Sequence, residues 1–153
     1  MENLLYQGIV SEVYIGYKTK IKAKNRVKIS DSEGSYQIFK TVWDTDTIDY
    51  KESFKCLYLD RNGRALAISN ISEGGISSTI ADEQMIMTTA LKLRSSALIL
   101  SHNHPSGNLK PSNVDKSITK KIACAGELLN INVLDHIIIS SEGYFSFADE
   151  GLM

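Results

Sequence analysis

Leu98-Ile99-Leu100-Ser101-His102-Asn103-His104-Pro105-Ser106-Gly107-Asn108-Leu109-Lys110-Pro111-Ser112-Asn113-Val114-Asp115 decides how the rest of the chain is read. A short continuous apolar run, from Ser96 to Ser101, suggests a central strand buried on both faces. It ends in two histidines two residues apart. Alternate residues of a strand share a face, so both imidazoles can aim at one spot. Pro105 and Gly107 hold a bend, and the short loop that follows returns the first turn of a helix to the strand end, bringing the Asp115 carboxylate toward the rings. Two nitrogens and one oxygen with a fourth position left to water form the ligand set of a catalytic zinc site, not of a closed structural one. Ser112-x-x-Asp115 is equally the cap of a helix with an acid in its first turn, and the two readings are compatible. His-x-His could also be no more than a pair of hydrated surface rings.

His102-x-His104, seven residues, then Ser112-x-x-Asp115 resembles the JAMM (MPN+) metalloprotease signature. His-Asn-His-Pro-Ser-Gly, followed by Leu134-Asp135-His136, resembles the bacterial RadC group, and the similarity runs from about Ile29 to the C-terminus. The resemblance implies a mixed α/β fold of the cytidine-deaminase-like (JAMM) type, with one zinc ion per chain on His102, His104 and Asp115. It also implies that Ser112 steadies the reacting oxygen. The implied activity is hydrolysis of peptide or isopeptide bonds, and the group's traditional label is DNA repair.

The JAMM pattern has a glutamate ahead of a hydrophobic strand, and Glu52 stands where a polar lead-in becomes the run Phe54 to Leu59. Water attacking a carbonyl must lose a proton and the leaving amine must gain one, which a carboxylate in reach can manage. Glu52 otherwise reads as a surface acid paired with Lys51 or Lys55. RadC-like proteins have a glutamate within Pro-Arg-Glu where this chain has Ala81-Asp82-Glu83, so Glu83 is a rival carboxylate, though an acid in a helix's first turn explains it well.

The 153 residues suit one domain with a proper core, and 42% hydrophobic residues is ordinary for a globular chain. With 17 basic and 18 acidic residues, no global field advertises a nucleic-acid partner. No apolar run approaches the ~20 residues needed to cross a bilayer, and the opening residues do not read as a signal peptide, so no membrane partner and a cytoplasmic location are expected. Cys56 and Cys124 sit inside apolar segments and are expected as buried small hydrophobes in a reducing compartment, not as a disulfide or zinc ribbon.

Residues 1–29 are expected to form a strand-and-loop extension packed on the same domain, with residues 30–153 as the RadC-like domain. Lys18, Lys20, Lys22, Lys24, Arg26 and Lys28 occupy every even position, so a strand over residues 13–29 would carry one cationic face. Such a stripe could contact phosphates, but without interleaved aromatics, protection of an exposed edge is favoured. A helix follows over residues 33–44, with Tyr36, Phe39 and Trp43 inward. A hairpin turns at Asn62-Gly63. Gly74 and Gly75 would let a substrate chain lie close to a strand edge, or merely make a tight connection. Helices over residues 81–94 and 112–129 should bury Ile80, Met85, Met87 and Leu91, and then Val114, Ile118, Ile122, Ala125 and Leu129. A strand over residues 131–139 and a short one over residues 144–147 close the chain. Asn103 could offer its amide to a substrate backbone. His136 could support a ligand from behind, although a core histidine paired with Asp135 or a backbone group is favoured. The expected partners are a protein or peptide substrate, with DNA or DNA-repair and mobile-element proteins, and a metal-dependent nuclease, as the alternative. Oligomeric state is left open.

Overall fold

The computed structural model describes residues 11, 13–74 and 81–153. Strand β1 (Ser53–Leu59) and strand β2 (Ala65–Glu73) form an antiparallel hairpin. Its turn is closed by Asp60, whose carboxylate accepts from the backbone N–H of Asn62 and Arg64, and by Gly63 at φ +70°, a left-handed conformation that suits glycine. Strand β3 (Ala97–Asn103) pairs antiparallel with β1, β4 (Asn132–Ile139) runs parallel to β3, and β5 (Tyr144–Ser146) turns back on β4. The order β2-β1-β3-β4-β5 makes a mixed five-stranded sheet. Every residue of β1 and β3 is buried, including Lys55 in β1 and the polar end Ser101-His102-Asn103 of β3, as central strands covered on both faces require.

Helices cover both faces. Helix α1 (Ser32–Val42) buries Tyr36 and Phe39 on one face, with Trp43 just beyond its end, against Leu57, Leu59, Ile99, Ile137 and Ile139. Helices α2 (Glu83–Leu93) and α3 (Asn113–Leu128) cover the other, against Cys56, Tyr58, Leu98 and Leu100. Each of the three starts on a side-chain cap: Asp31, Asp82 and Ser112 accept the backbone N–H of Gly34, Met85 and Asp115.

Helix faces differ in detail from the expected stripes. α2 buries Ile86, Met87, Ala90 and Leu93, while Met85 and Leu91 are about half exposed; Ile80 lies outside the described residues. In α3, Thr119, Ile122 and Gly126 are buried and Ile118 and Ala125 pack against the same core as expected, whereas Val114 is 71% exposed and Leu129 is exposed too. A Cβ at Gly126 would lie 2.3 Å from the Ile131 carbonyl oxygen, so only glycine lets the helix end sit against the start of β4.

The strand expected over residues 13–29 is not formed. A single 3-10 turn, Ala23–Asn25, interrupts the segment, which touches the sheet through the Tyr17 O–H, donated to the Leu66 carbonyl at 3.1 Å, and at its end through Lys28 opposite Arg64. The apolar positions meant for its inner face, Ile21 and Val27, remain more than half exposed. With no face buried, nothing fixes a strand register.

The β3–β4 pairing contains one irregularity that decides where side chains point. Leu98 faces Val133, but Ile99 faces Asp135, so Leu134 is an extra residue on β4. Val133 packs with the α2–α3 core, yet after the slip the even residue His136 takes that face while Ile137 and Ile139 go to the α1 side. A bulge of this kind exchanges the faces of everything downstream.

Candidate metal centre

β3 delivers His102 in its last turn of pleat, 5% exposed, and His104 just beyond, where its N–H still bonds the Ile139 carbonyl at 3.1 Å. The loop then returns to α3, whose first turn carries Asp115. Ser112 and Asp115 make a reciprocal cap: the Ser112 N–H donates to Asp115 Oδ2 at 2.7 Å, and the Asp115 N–H donates to Ser112 Oγ at 3.1 Å. This local bond holds the carboxylate at the strand end, so the cap and the site are one construction.

The three side chains converge. His102 Nε2 lies 2.9 Å from His104 Nε2 and 3.3 Å from Asp115 Oδ1, and His104 Nε2 lies 3.6 Å from Asp115 Oδ2. A tetrahedral ion with bonds of about 2.0–2.1 Å separates its ligands by roughly 3.3 Å, so the two ring nitrogens and the carboxylate already stand near ligand spacing. The protonation pattern also fits. His104 Nδ1 donates to the Asn108 carbonyl at 2.5 Å, which in the neutral ring leaves Nε2 as a bare lone pair. That lone pair faces another ring nitrogen and a carboxylate, an arrangement that calls for a cation at its centre.

Electrostatics agree. Burial alone would push the Asp115 carboxyl up, but the adjacent His102 and His104 rings, with the Ser112 N–H, hold it far below the usual range. The hydrogen bond with Asp115 raises His104 against the opposing cost of burial.

His136 stands behind His102. Its Nε2 is 2.8 Å from His102 Nδ1 and its Nδ1 is 2.6 Å from Thr119 Oγ1, while the ring is wholly buried between Phe54 and Phe147. Burial lowers its pKa well below the ordinary value, keeping it neutral. The expected pairing of its ring with Asp135 is not made; Asp135 accepts instead from the backbone of His136 and Ala148 and from Ser146 Oγ.

A cleft of about 390 Å³ opens beside the triad, lined by Tyr50, Glu52, His104, Pro105, Ser106, Asn108, Lys110 and Ser112. Glu52 and Ser112 thus share one cavity with a triad imidazole. Glu83 lies elsewhere, paired with Lys121 at 2.8 Å. Asn103 corrects an expectation: it is fully buried, accepts the Ser53 N–H at 2.7 Å, and donates to the carbonyls of Ile48 and Lys51 at 2.6 and 2.9 Å. With its amide fully committed, it ties the segment carrying Glu52 to the end of β3 and has nothing left for a substrate. Gly74 donates its N–H to the Glu52 carbonyl at 2.9 Å, a close connection at the root of the same segment; Gly75 lies outside the described residues. Lys18, Lys20, Lys22, Lys24 and Lys28 are exposed and Arg26 is half-buried, 3.4 Å from Asp60. Without a strand beneath them they do not form the single cationic face expected.

Sequence reasoning missed Thr119, and offered support of a ligand by His136 only as the less favoured of two readings. A histidine directly after aspartate in a buried strand was the available signal, but the bulge at Leu134 hides which face it takes.

No helix among the described residues is long and apolar enough to cross a membrane. A family model described as RadC-like JAB domain matches residues 29–152. A UPF0758 protein of Flavobacterium johnsoniae is 40% identical over 146 residues, covering 95% of this chain and 62% of its own. Another from Porphyromonas gingivalis is 41% identical over 129 residues, covering 84% and 56%, and one from Aquifex aeolicus is 34% identical over 130 residues, covering 85% and 54%. The chain therefore spans little more than half the length of these relatives. With the triad on a strand end and helix start and the match running over most of its length, this chain belongs to the RadC-like JAB domain family.

Proposed function

We propose that the chain is a zinc-dependent hydrolase that cleaves peptide or isopeptide bonds. One observation carries the reading: His102, His104 and Asp115 converge at ligand spacing beside a cleft that also holds Glu52 and Ser112. His102 Nε2, His104 Nε2 and Asp115 Oδ1 would hold the ion. When bound, zinc would polarise a carbonyl and bring the pKa of water toward neutrality.

The chain's own groups supply the rest. Glu52 takes the proton from the attacking water and returns it to the leaving amine, the same carboxylate acting as base and then acid. Ser112 Oγ accepts from the Asp115 N–H, which leaves its own O–H free to donate to the carbonyl oxygen as negative charge grows there. Tyr50 and Pro105 offer apolar walls to an extended chain in the cleft.

Metal analysis after dialysis, followed by parallel peptide, isopeptide and DNA cleavage screens, tests the proposal. One zinc per chain, lost in His104→Ala, with amide cleavage that disappears in Glu52→Gln, is the expected result. Absence of stoichiometric metal ends it, and phosphodiester cleavage without amide cleavage would replace it with a nuclease.

A further inference from the structure

We infer that His136 and Thr119 are positioning residues that fix His102 in the tautomer with its proton on Nδ1, leaving the Nε2 lone pair for the ion. The inference deepens the metal-centre reading and, for its effect on affinity, rests on it.

The direction of the protons follows from one group that has none to give. The Asp115 carbonyl can only accept, so the Thr119 hydroxyl, 2.6 Å away, spends its single proton there. Thr119 Oγ1 must then accept from its other partner, His136 Nδ1 at 2.6 Å. A neutral imidazole has one N–H, so His136 Nε2 is bare, and the 2.8 Å contact with His102 requires the proton to sit on His102 Nδ1. His102 Nε2 is consequently bare toward His104 and Asp115. Reversing any one step between Thr119 and His102 would set two protons, or two lone pairs, face to face, whereas the lone pairs left at His102 Nε2, His104 Nε2 and the Asp115 carboxylate are those a cation between them would satisfy. His136 cannot turn to water instead, because it is wholly buried with its ring centroid 5.4 Å from that of Phe54 and 4.9 Å from that of Phe147. The chain of bonds starts and ends on Asp115: its carbonyl orders the protons, and its carboxylate faces the ring they orient. Histidine ligands generally donate their second N–H to such a partner, and loss of the partner weakens metal binding by about 10–100-fold.

Long-range 1H–15N correlation spectra of the metal-free, histidine-labelled protein at alkaline pH read the tautomers directly. Both His102 and His136 are expected as Nδ1–H; an Nε2–H form of either overturns the inference. Because this reading needs no metal, it is independent of whether the wild type binds zinc, and a wild type without zinc would instead overturn the functional proposal. Zinc affinity measured against a chromophoric chelator provides the second arm. His136→Phe and Thr119→Val should each bind about 10–100-fold more weakly. His136→Gln, whose amide can accept from His102 and donate to Thr119, should recover most of the loss. Wild-type affinity in Thr119→Val, or His136→Gln no better than His136→Phe, overturns the assignment. Should the phenylalanine variant fail to fold, Thr119→Val, which exchanges a hydroxyl for a methyl, decides alone.

Discussion

Replacing Asn103 by alanine removes the clamp between the strand that carries the histidines and the segment that carries Glu52. Three backbone groups lose their partner: the Ser53 N–H and the carbonyls of Ile48 and Lys51. At roughly 1 kcal/mol for each hydrogen bond, the loss is about 3 kcal/mol, before any cost of the space left by a fully buried side chain. For a chain of this size about 2–4 °C of melting temperature accompanies each kcal/mol, so Tm should fall by about 6–12 °C. Hydrogen exchange locates the effect: the Ser53 amide, now without an acceptor, should exchange much faster, while amides in the middle of α3 keep their protection. Asn103→Asp keeps an acceptor for Ser53 but turns a carboxylate toward two carbonyl oxygens in the interior, and should be at least as damaging. A Tm within ~2 °C of wild type for Asn103→Ala, with Ser53 exchange unchanged, would refute the claim that this amide fastens the Glu52 segment.

Other perturbations separate packing from chemistry. Gly126→Ala drives a Cβ into the Ile131 carbonyl and should cost about 1–3 kcal/mol, read as a lowered denaturation midpoint; an unchanged midpoint would mean that helix and strand can part freely there. Ser112→Ala loses the cap of α3, about 1 kcal/mol by thermal melting, and on the proposed mechanism lowers kcat by about 100-fold. A stability loss with full turnover would leave Ser112 as a cap alone. Burial pushes the Cys56 thiol up, whereas Cys124, expected to be buried, is exposed on α3, so a thiol reagent should label one cysteine per native chain even at alkaline pH and two after unfolding. Rapid labelling of both would contradict the buried setting of β1.

The central part of the fold was legible because several local signals agreed. The run Leu98 to Ser101 could be satisfied only in a buried strand, Asn62-Gly63 only in a turn, and Ser112-x-x-Asp115 both begins a helix and aims a carboxylate. The periodicity of residues 18–28 pointed equally clearly to a strand, but periodicity describes a face and not its partner, and Ile21 and Val27 found none. The helical stripes were right at Met87, Ile118, Ile122 and Ala125 and wrong at Met85, Leu91, Val114 and Leu129, and the close approach of Gly126 to Ile131 is something composition does not announce. The clearest limit is β4. Strict alternation from Val133 puts His136 on the opposite face, and one surplus residue, Leu134, brings it behind His102. Asn103 failed for another reason: beside two histidines in a polar loop it invites a substrate contact, whereas the backbone of a neighbouring segment claims its whole amide.

The β3–α3–β4 unit contains all three candidate ligands and the groups that orient His102, whereas Glu52 arrives on the lead-in to β1 from the other hairpin. On the proposed mechanism, capture and turnover are thereby assigned to separable lengths of polypeptide. Alterations in the hairpin would then silence the reaction while an ion stays in its seat, and damage within the crossover unit would remove both together. A descendant of this architecture could accordingly retire from chemistry and persist as a metal-stiffened recognition module, by drift in a single short segment.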